Sequence, residues 1–258
     1  MLLVIDSGNT NVVFAVYDDG KRLGVWRCAN DPKRTADEYA VWLTHLVEHK
    51  NIKLSDVTST VLASVVPETQ FNLESLCRRY FGGEPLVVGK PGVNLGMKVL
   101  LEHPEQAGAD RLVNAVAAHV KYGGPLIIID FGTATTFDVV DWDGNYAGGV
   151  IAPGINLSVQ ALYMAAAKLP LVEIKPTQNV IGKDTVSAMQ SGIFWGYVSM
   201  IEGMVTRIKR EFGTEEMKVI GTGGLSELFS GYTAVLENTD RGLTLDGLVE
   251  IHRRNKGK

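Results

Sequence analysis

The sequence predicts an α/β protein of two lobes, each built on a mixed five-stranded sheet flanked by helices, and three observations carry that prediction. A length of 258 residues with 45% hydrophobic composition provides apolar surface for a substantial core, and at the upper limit for a single core it favours two lobes. An Asp-x-Gly turn set between two apolar, strand-like runs occurs twice, at residues 6–8 and 130–132. Each copy is followed by a hairpin turn at the same distance, with 14 positions from Asp6 to Gly20 and 14 from Asp130 to Gly144. Motif and spacing together mark an internal duplication, with lobes at residues 1–120 and 121–258.

Residues 2–5 form a short apolar run that reads as a buried strand, and residues 12–17 form another after the polar turn Asp6-Ser7-Gly8-Asn9-Thr10-Asn11. A strand follows this turn where a P-loop or a dinucleotide-binding fingerprint would have a helix. Asp18-Asp19-Gly20-Lys21 then turns the chain into a third strand at 23–28. Thr35-Ala36-Asp37-Glu38 has the capping-box pattern, and Tyr39, Trp42, Leu43, Leu46 and Val47 continue at helical spacing. Residues 60–66 read as a strand ended by Pro67, residues 71–80 as an amphipathic helix and 86–88 as a strand, so the first half is βββαβαβ. The second half repeats the opening with a strand at 126–129, the turn Asp130-Phe131-Gly132-Thr133-Ala134-Thr135, a strand at 136–140 and the hairpin turn Asp143-Gly144. Helices are expected at 157–167, 185–212 and 245–254, with the strand Val219-Ile220 entering Gly221-Thr222-Gly223-Gly224. Two such sheets facing each other would put both Asp-x-Gly turns at the floor of a cleft.

A net charge of −4 argues against nucleic acid as the main partner. The basic clusters Arg207, Lys209, Arg210 and His252, Arg253, Arg254, Lys256, Lys258 fit cations gathered at helix C-termini. Cys28 and Cys77 have neither a CxxC spacing nor a nearby histidine pair, so no disulfide framework or zinc site is indicated and both are expected to be buried thiols. His45 and His49 stand four apart on a helix without a third ligand, and His103, His119 and His252 join no cluster. Phe194, Trp195 and Tyr197 read as helix-packing or subunit-interface residues. The apolar start at residues 1–5 lacks a basic flank and is far too short for a signal peptide or a span, so a cytoplasmic protein with no membrane partner is expected.

Glycine in an Asp-x-Gly turn lets backbone N–H groups approach an anion, and Asn9, Thr10 and Thr133 supply further donors. Asp6 and Asp130 do not suit phosphate oxygens directly, but their carboxylates suit a cation that bridges and neutralises them. Gly221-Thr222-Gly223-Gly224 offers bare backbone for an adenine or ribose, and equally makes a tight strand-to-helix turn. After Gly108-Ala109-Asp110-Arg111, an apolar stripe of Leu112, Val113, Val116, Ala117 and Val120 marks a helix. Asp110 in its first turn either complements the helix dipole or accepts the proton of an alcohol that attacks a γ-phosphoryl group, with Arg111 binding an anionic group. The residues alone lead to a two-lobed, nucleotide-dependent phosphotransferase.

Over nearly the whole chain and in order, Asp6-Ser7-Gly8-Asn9-Thr10, Gly108-Ala109-Asp110-Arg111, Asp130-Phe131-Gly132-Thr133-Ala134-Thr135, Gly148-Gly149-Val150-Ile151-Ala152-Pro153-Gly154 and Gly221-Thr222-Gly223-Gly224 resemble the motifs of type III pantothenate kinases. The resemblance implies a duplicated ribonuclease H-like (actin-like ATPase) fold and transfer of the ATP γ-phosphate to the terminal hydroxyl of pantothenate, the first committed step towards coenzyme A. It implies that Asp6, Ser7, Gly8, Asn9, Thr10, Asn11, Val12 and Val13 hold the triphosphate, Asp6 with its Mg²⁺, and that Thr133 also contacts ATP. Gly221 and Gly223 are the expected nucleotide contacts of the last turn. Asp110 becomes the general base, Gly108, Ala109, Asp110 and Arg111 surround pantothenate, and Asp130 becomes the ligand of an activating monovalent cation, K⁺ or NH₄⁺. A homodimer with its substrate site at the subunit interface is implied, with Thr185 in Gly182-Lys183-Asp184-Thr185 supplied by the partner.

Two positions depart from the family pattern. Leu101, before Pro104, stands where an aromatic residue, typically Tyr, is usual, and Asp184 stands where Asn is common. Two other readings stand beside the kinase. One is a kinase for another small hydroxy acid, which Leu101 keeps open; the other is a non-catalytic transcription-accessory protein on the same fold, supported by the basic C-terminal tail.

Overall fold

The computed structural model describes residues 1–166 and 169–256. The first half runs β1 (Leu2–Ser7), β2 (Asn11–Asp18), β3 (Lys21–Ala29), α1 (Ala36–Glu48), β4 (Ser59–Ser64), α2 (Pro67–Tyr80), β5 (Leu86–Val87) and α3 (Ala109–Tyr122). The second runs β6 (Leu126–Phe131), β7 (Ala134–Val140), β8 (Tyr146–Pro153), α4 (Ile155–Ala165), α5 (Thr185–Phe212), β9 (Lys218–Thr222), α6 (Ser226–Ser230), β10 (Asn238–Thr239) and α7 (Leu243–Asn255). The end of the expected helix at Ala167, and Lys258 of the basic tail, lie outside the described residues.

The duplication is visible in strand order. The first sheet is ordered β3-β2-β1-β4-β5 and the second, read from β8, is β8-β7-β6-β9-β10, so third, second, first, fourth and fifth strands recur in the same sequence. In both, the first two strands are antiparallel and the first and fourth are parallel, with Asp6 opposite Val13 and Asp130 opposite Thr136. This is the duplicated ribonuclease H-like arrangement that the sequence predicts.

Alternation along the first sheet buries both of its faces. Leu3, Ile5, Phe14 and Val16 join Tyr39, Leu43 and Val47 of α1 and Leu73, Leu76 and Cys77 of α2 in one apolar cluster. Leu2, Val4, Val13 and Ala15 join Ala109, Val113 and Val116 of α3 and Leu245, Leu248 and Ile251 of α7 in the other. At Gly247 a Cβ would run into the Val113 carbonyl, so glycine lets α7 lie directly against α3. In the second sheet Ile127, Ile129, Phe131 and Phe137 pack with Phe194, Val198 and Ile201 of α5. Phe229 of α6 stacks on Phe131 at 5.2 Å, Tyr197 at 5.0 Å and Phe194 at 5.7 Å between ring centroids, which accounts for the aromatic run on α5 as packing.

Four details differ from the sequence reading. The chain divides into Met1–Lys121 with Gly144–Tyr146 and the segment from Gly242, and Tyr122–Asp143 with Ala147–Arg241. A boundary at 120 assigns α7 to the second lobe, whereas its apolar face is buried on the first sheet. Helix α2 starts at Pro67, which occupies the first helical turn where its missing N–H is not needed. The two-residue β10 is too short and polar to leave a periodic signal. Cys77 is buried, which pushes its thiol pKa up to about 12, but Cys28 is only partly buried. Lys209 and Arg210 sit in the last turn of α5 and His252, Arg253 and Arg254 in that of α7, where Arg253 and Arg254 hold the Glu250 pKa down to about 2. No helix among the described residues is long and apolar enough to cross a membrane.

Candidate active site

The first turn leaves β1 at Ser7 and re-enters the sheet at Asn11. Gly8 N–H closes it on the Asn11 carbonyl at 3.0 Å, leaving Asn9, Thr10 and Asn11 exposed. Asp6, at the strand end, is partly buried beside it. Ser7, Val12 and Val13 bury their side chains, so they can offer a ligand only main chain. Asn30, which sequence reasoning passed over, donates from Nδ2 to the Gly8 carbonyl at 2.6 Å and from its main-chain N–H to Thr10 at 2.9 Å. Its only sequence signal is an amide side chain at the end of the third strand.

Gly108 precedes α3 and Ala109 opens it, joining the apolar cluster that includes Val13. Asp110 stands partly buried in the first helical turn, and its Oδ1 accepts the Arg111 N–H at 2.8 Å. Burial pushes its carboxyl above the ordinary range, against the pull of the Arg111 N–H and guanidinium. A Cβ at Gly108 would stand 2.7 Å from Asp110 Oδ1, so glycine here makes room for the carboxylate. The Arg111 guanidinium lies 5.7 Å from the centroid of the Tyr146 ring. Tyr146, also unforeseen, is fully buried and tied through its main chain to Lys98 at 2.9 Å and Leu100 at 2.8 Å. Leu101 is partly buried in the loop that leads from this pairing to the short 3₁₀ turn Pro104–Gln106.

The second turn closes one residue tighter, with Gly132 N–H on the Ala134 carbonyl at 3.1 Å and Thr133 exposed. Gly154, at the end of β8, donates its N–H to the Thr133 carbonyl at 3.1 Å. A Cβ there would run into that carbonyl and stand 2.7 Å from the carbonyl of Gly132. Gly223 has φ +85° and packs against Asp130: a Cβ would run into Asp130 Oδ1 and meet the Phe131 main chain at 2.8 Å. Gly221 faces Leu236, Phe131 and Ser226, so it serves packing around the strand end. Thr135 is buried and hydrogen-bonds the Tyr197 hydroxyl.

Thr185 is exposed in the first turn of α5. Asp184 is the N-cap of that helix, accepting Ser187 N–H at 2.9 Å and its hydroxyl at 2.8 Å, contacts that hold its carboxyl below the usual range. Either Asp or Asn performs that capping, which accounts for the departure at 184. The first unit thus gathers residues 6–13 and 108–111, and the second gathers Asp130, Thr133, Gly221 and Gly223.

The donors present fit the expected groups. Exposed main chain at residues 9–11 suits phosphate oxygens, and single carboxylates beside such turns suit Mg²⁺, which is held by one or two carboxylates together with phosphates. No group of three or more His, Cys, Asp and Glu that could cage a metal is found among the described residues. Oxygen donors at Asp130 likewise suit a monovalent cation.

Comparison with known proteins follows the same line. The family model described as type III pantothenate kinase matches residues 2–207. A type III pantothenate kinase of Paramagnetospirillum magneticum is 63% identical over 255 residues, covering 99% of this chain and 98% of that protein. That of Rhodospirillum rubrum is 59% identical over 256 residues, covering 99% of each. Among solved structures, component A of (R)-2-hydroxyglutaryl-CoA dehydratase from Acidaminococcus fermentans has a TM-score of 0.57 at 15% identity, covering 99% of both chains. The activator of 2-hydroxyisocaproyl-CoA dehydratase from Clostridium difficile, with bound ADPNP, has a TM-score of 0.54 at 11% identity, covering 100% of this chain and 97% of that one. These structural likenesses speak to the fold; the sequence matches speak to descent, and by them the chain belongs to the type III pantothenate kinase family.

Proposed function

We propose that the chain transfers the γ-phosphoryl group of ATP to the terminal hydroxyl of pantothenate, opening coenzyme A synthesis. The observation that carries this reading, beside family membership, is Asp110, a carboxylate in the first turn of α3 whose pKa is raised by burial. An alcohol needs its proton accepted as it attacks phosphorus, and the carboxylate of a group with a raised pKa is a better proton acceptor than an ordinary one. Asp110 orients the hydroxyl and takes that proton. Arg111, stacked on Tyr146, binds the anionic end of pantothenate, and Gly108 and Ala109 keep the approach open. The first turn, residues 6–13, holds the triphosphate, with Thr133 and Gly223 completing the nucleotide contacts, while Gly221 is packed against Leu236, Phe131 and Ser226.

Mg²⁺ held by Asp6 through the phosphates supplies charge neutralisation, and K⁺ or NH₄⁺ at Asp130 does so beside the second turn. The working form is a homodimer in which the partner supplies Thr185 to the substrate site. Support for self-association comes from α4 and α5, where Leu157, Leu162, Tyr163, Met164 and Val186 are exposed and Leu162, Met189, Ile193 and Met200 line a groove of about 450 Å³. A cytoplasmic location follows from the reaction's substrates.

A coupled ADP-release assay with ATP, Mg²⁺, K⁺ and pantothenate tests the proposal. Pantothenate-dependent turnover that falls at least a hundredfold in Asp110→Asn is expected. Turnover with a different hydroxy acid and none with pantothenate would turn the reading to the kinase that Leu101 leaves open. No turnover with any hydroxy acid from folded protein would sink the kinase reading.

A further inference from the structure

The peptide units of the first turn are gripped from one side. Asn30 binds the Gly8 carbonyl through its side chain at 2.6 Å and the Thr10 carbonyl through its main chain at 2.9 Å. A trans peptide unit is planar, so its C=O and N–H point in opposite directions. With the carbonyls of Gly8 and Thr10 turned towards Asn30, the N–H groups of Asn9 and Asn11 are turned away from it. Residues 9–11 are exposed, so those donors lie where an anion can reach them.

The Asn30 amide is itself oriented. Its Oδ1 accepts the hydroxyl of Thr69 at 2.7 Å, and Thr69 is fully buried in the first turn of α2. A hydroxyl donor at the oxygen end leaves the NH₂ end to face Gly8, with Ser7 Oγ 3.4 Å from the same nitrogen. Aspartate at position 30 would set oxygen against oxygen, and an apolar residue would leave the Gly8 carbonyl without this donor.

We propose that Asn30, oriented by Thr69, is a positioning residue that aims the N–H groups of the first turn at the phosphates of a bound nucleotide. This rests on reading that turn as the nucleotide site. Asn30 acts through the main chain it holds, so donors that are already aimed need no rearrangement when the phosphates arrive. Releasing the grip weakens nucleotide binding and leaves the proton transfer at Asp110 untouched.

The test is calorimetric titration of the full chain with a non-hydrolysable ATP analogue and Mg²⁺, together with steady-state kinetics. Asn30→Ala is expected to weaken analogue binding and raise the KM for ATP about five- to tenfold, with kcat and the KM for pantothenate within about twofold. Thr69→Val should move in the same direction by less, Thr69→Ser should restore the wild-type value, and the double variant should be no weaker than Asn30→Ala. A purely structural role would instead move both KM values together with thermal stability. Unchanged analogue affinity in folded Asn30→Ala overturns the proposal, as does unchanged affinity in Asn30→Asp if the alanine variant does not fold. Asp6→Asn separates the two ideas. Nucleotide binding lost there but kept in Asn30→Ala sinks only the role of Asn30, whereas wild-type binding in both removes the nucleotide reading of the turn as well.

Discussion

The two Asp-x-Gly turns occupy the same place in two copies of one sheet, yet they are held by opposite means. At the end of the third strand of each copy, a main-chain N–H reaches back to the turn: Asn30 to Thr10 and Gly154 to Thr133. In the first copy an amide side chain spans the remaining gap and is fixed by Thr69. In the second there is no gap to span, because the main chain of Gly154 lies where a Cβ would strike the Thr133 carbonyl. Helix α4 begins immediately after Gly154, while α1 begins only at Ala36, six residues beyond Asn30. Duplication has preserved topology, but the first turn is one residue longer, with Asp6 opposite Val13 and Asp130 opposite Thr136, and the means of holding each turn has diverged.

The comparison is broken most severely at Gly154. All three atoms that a Cβ would meet are main chain, the oxygen and carbon of the Thr133 carbonyl and the Gly132 oxygen, so Gly154→Ala has to displace the turn itself. A displacement on the order of 1 Å at a binding turn costs roughly a hundredfold, and a fall of that size in kcat/KM is expected in steady-state assays. Gly223→Ala comes next, because it combines strain at φ +85° with a clash against the Asp130 carboxylate. Titration of K⁺ or NH₄⁺ should show the concentration for half-activation rising about tenfold; an unchanged cation requirement would remove Asp130 from that role. Asn30→Gly gives the first turn the residue of the second without its close approach, and a rise in the KM for ATP of about fivefold is expected.

The smallest effect concerns a second glycine placed against a carboxylate, Gly108 beside Asp110. Because the folded pKa of Asp110 lies above its unfolded value, its ionisation destabilises the fold at every pH above the folded pKa. That penalty disappears as pH falls below the unfolded pKa. Asp110→Asn should therefore raise the thermal midpoint by about 2 °C at neutral pH while lowering turnover at least a hundredfold, with the stability difference shrinking on acidification through that window. A variant less stable than wild type at neutral pH would contradict it. The acid limb of the wild-type rate should likewise lie above that of an ordinary carboxylate.

Features set by neighbouring residues were legible in the sequence. The two turns, their hairpins, the capping box at Thr35 and the motif at 108–111 are each contained in a few consecutive positions, and both copies of the sheet follow from them. Features set by distant contacts were not. Asn30 gains its role from Gly8 and Thr69, 22 and 39 positions away, and nothing in the residues around it distinguishes it from any polar strand end. Tyr146 looks like the ordinary start of a strand until its pairing with residues 98–100 brings it under Arg111. Gly154 lies within a glycine-rich motif, but only the approach of Thr133 shows that this glycine has no room for a side chain.

Helix α7 has a consequence for how the chain is made. The face of the first sheet formed by Leu2, Val4, Ala15 and Val61 waits for Leu245, Leu248 and Ile251 to complete its cover. About 180 residues separate the end of β4 from those side chains. At a synthesis rate of about 5–20 residues per second, the ribosome needs roughly 10–40 s to supply them. Throughout that interval the nascent first half carries an incompletely covered apolar face, a substrate for chaperones and a seed for aggregation, which only α7 can close.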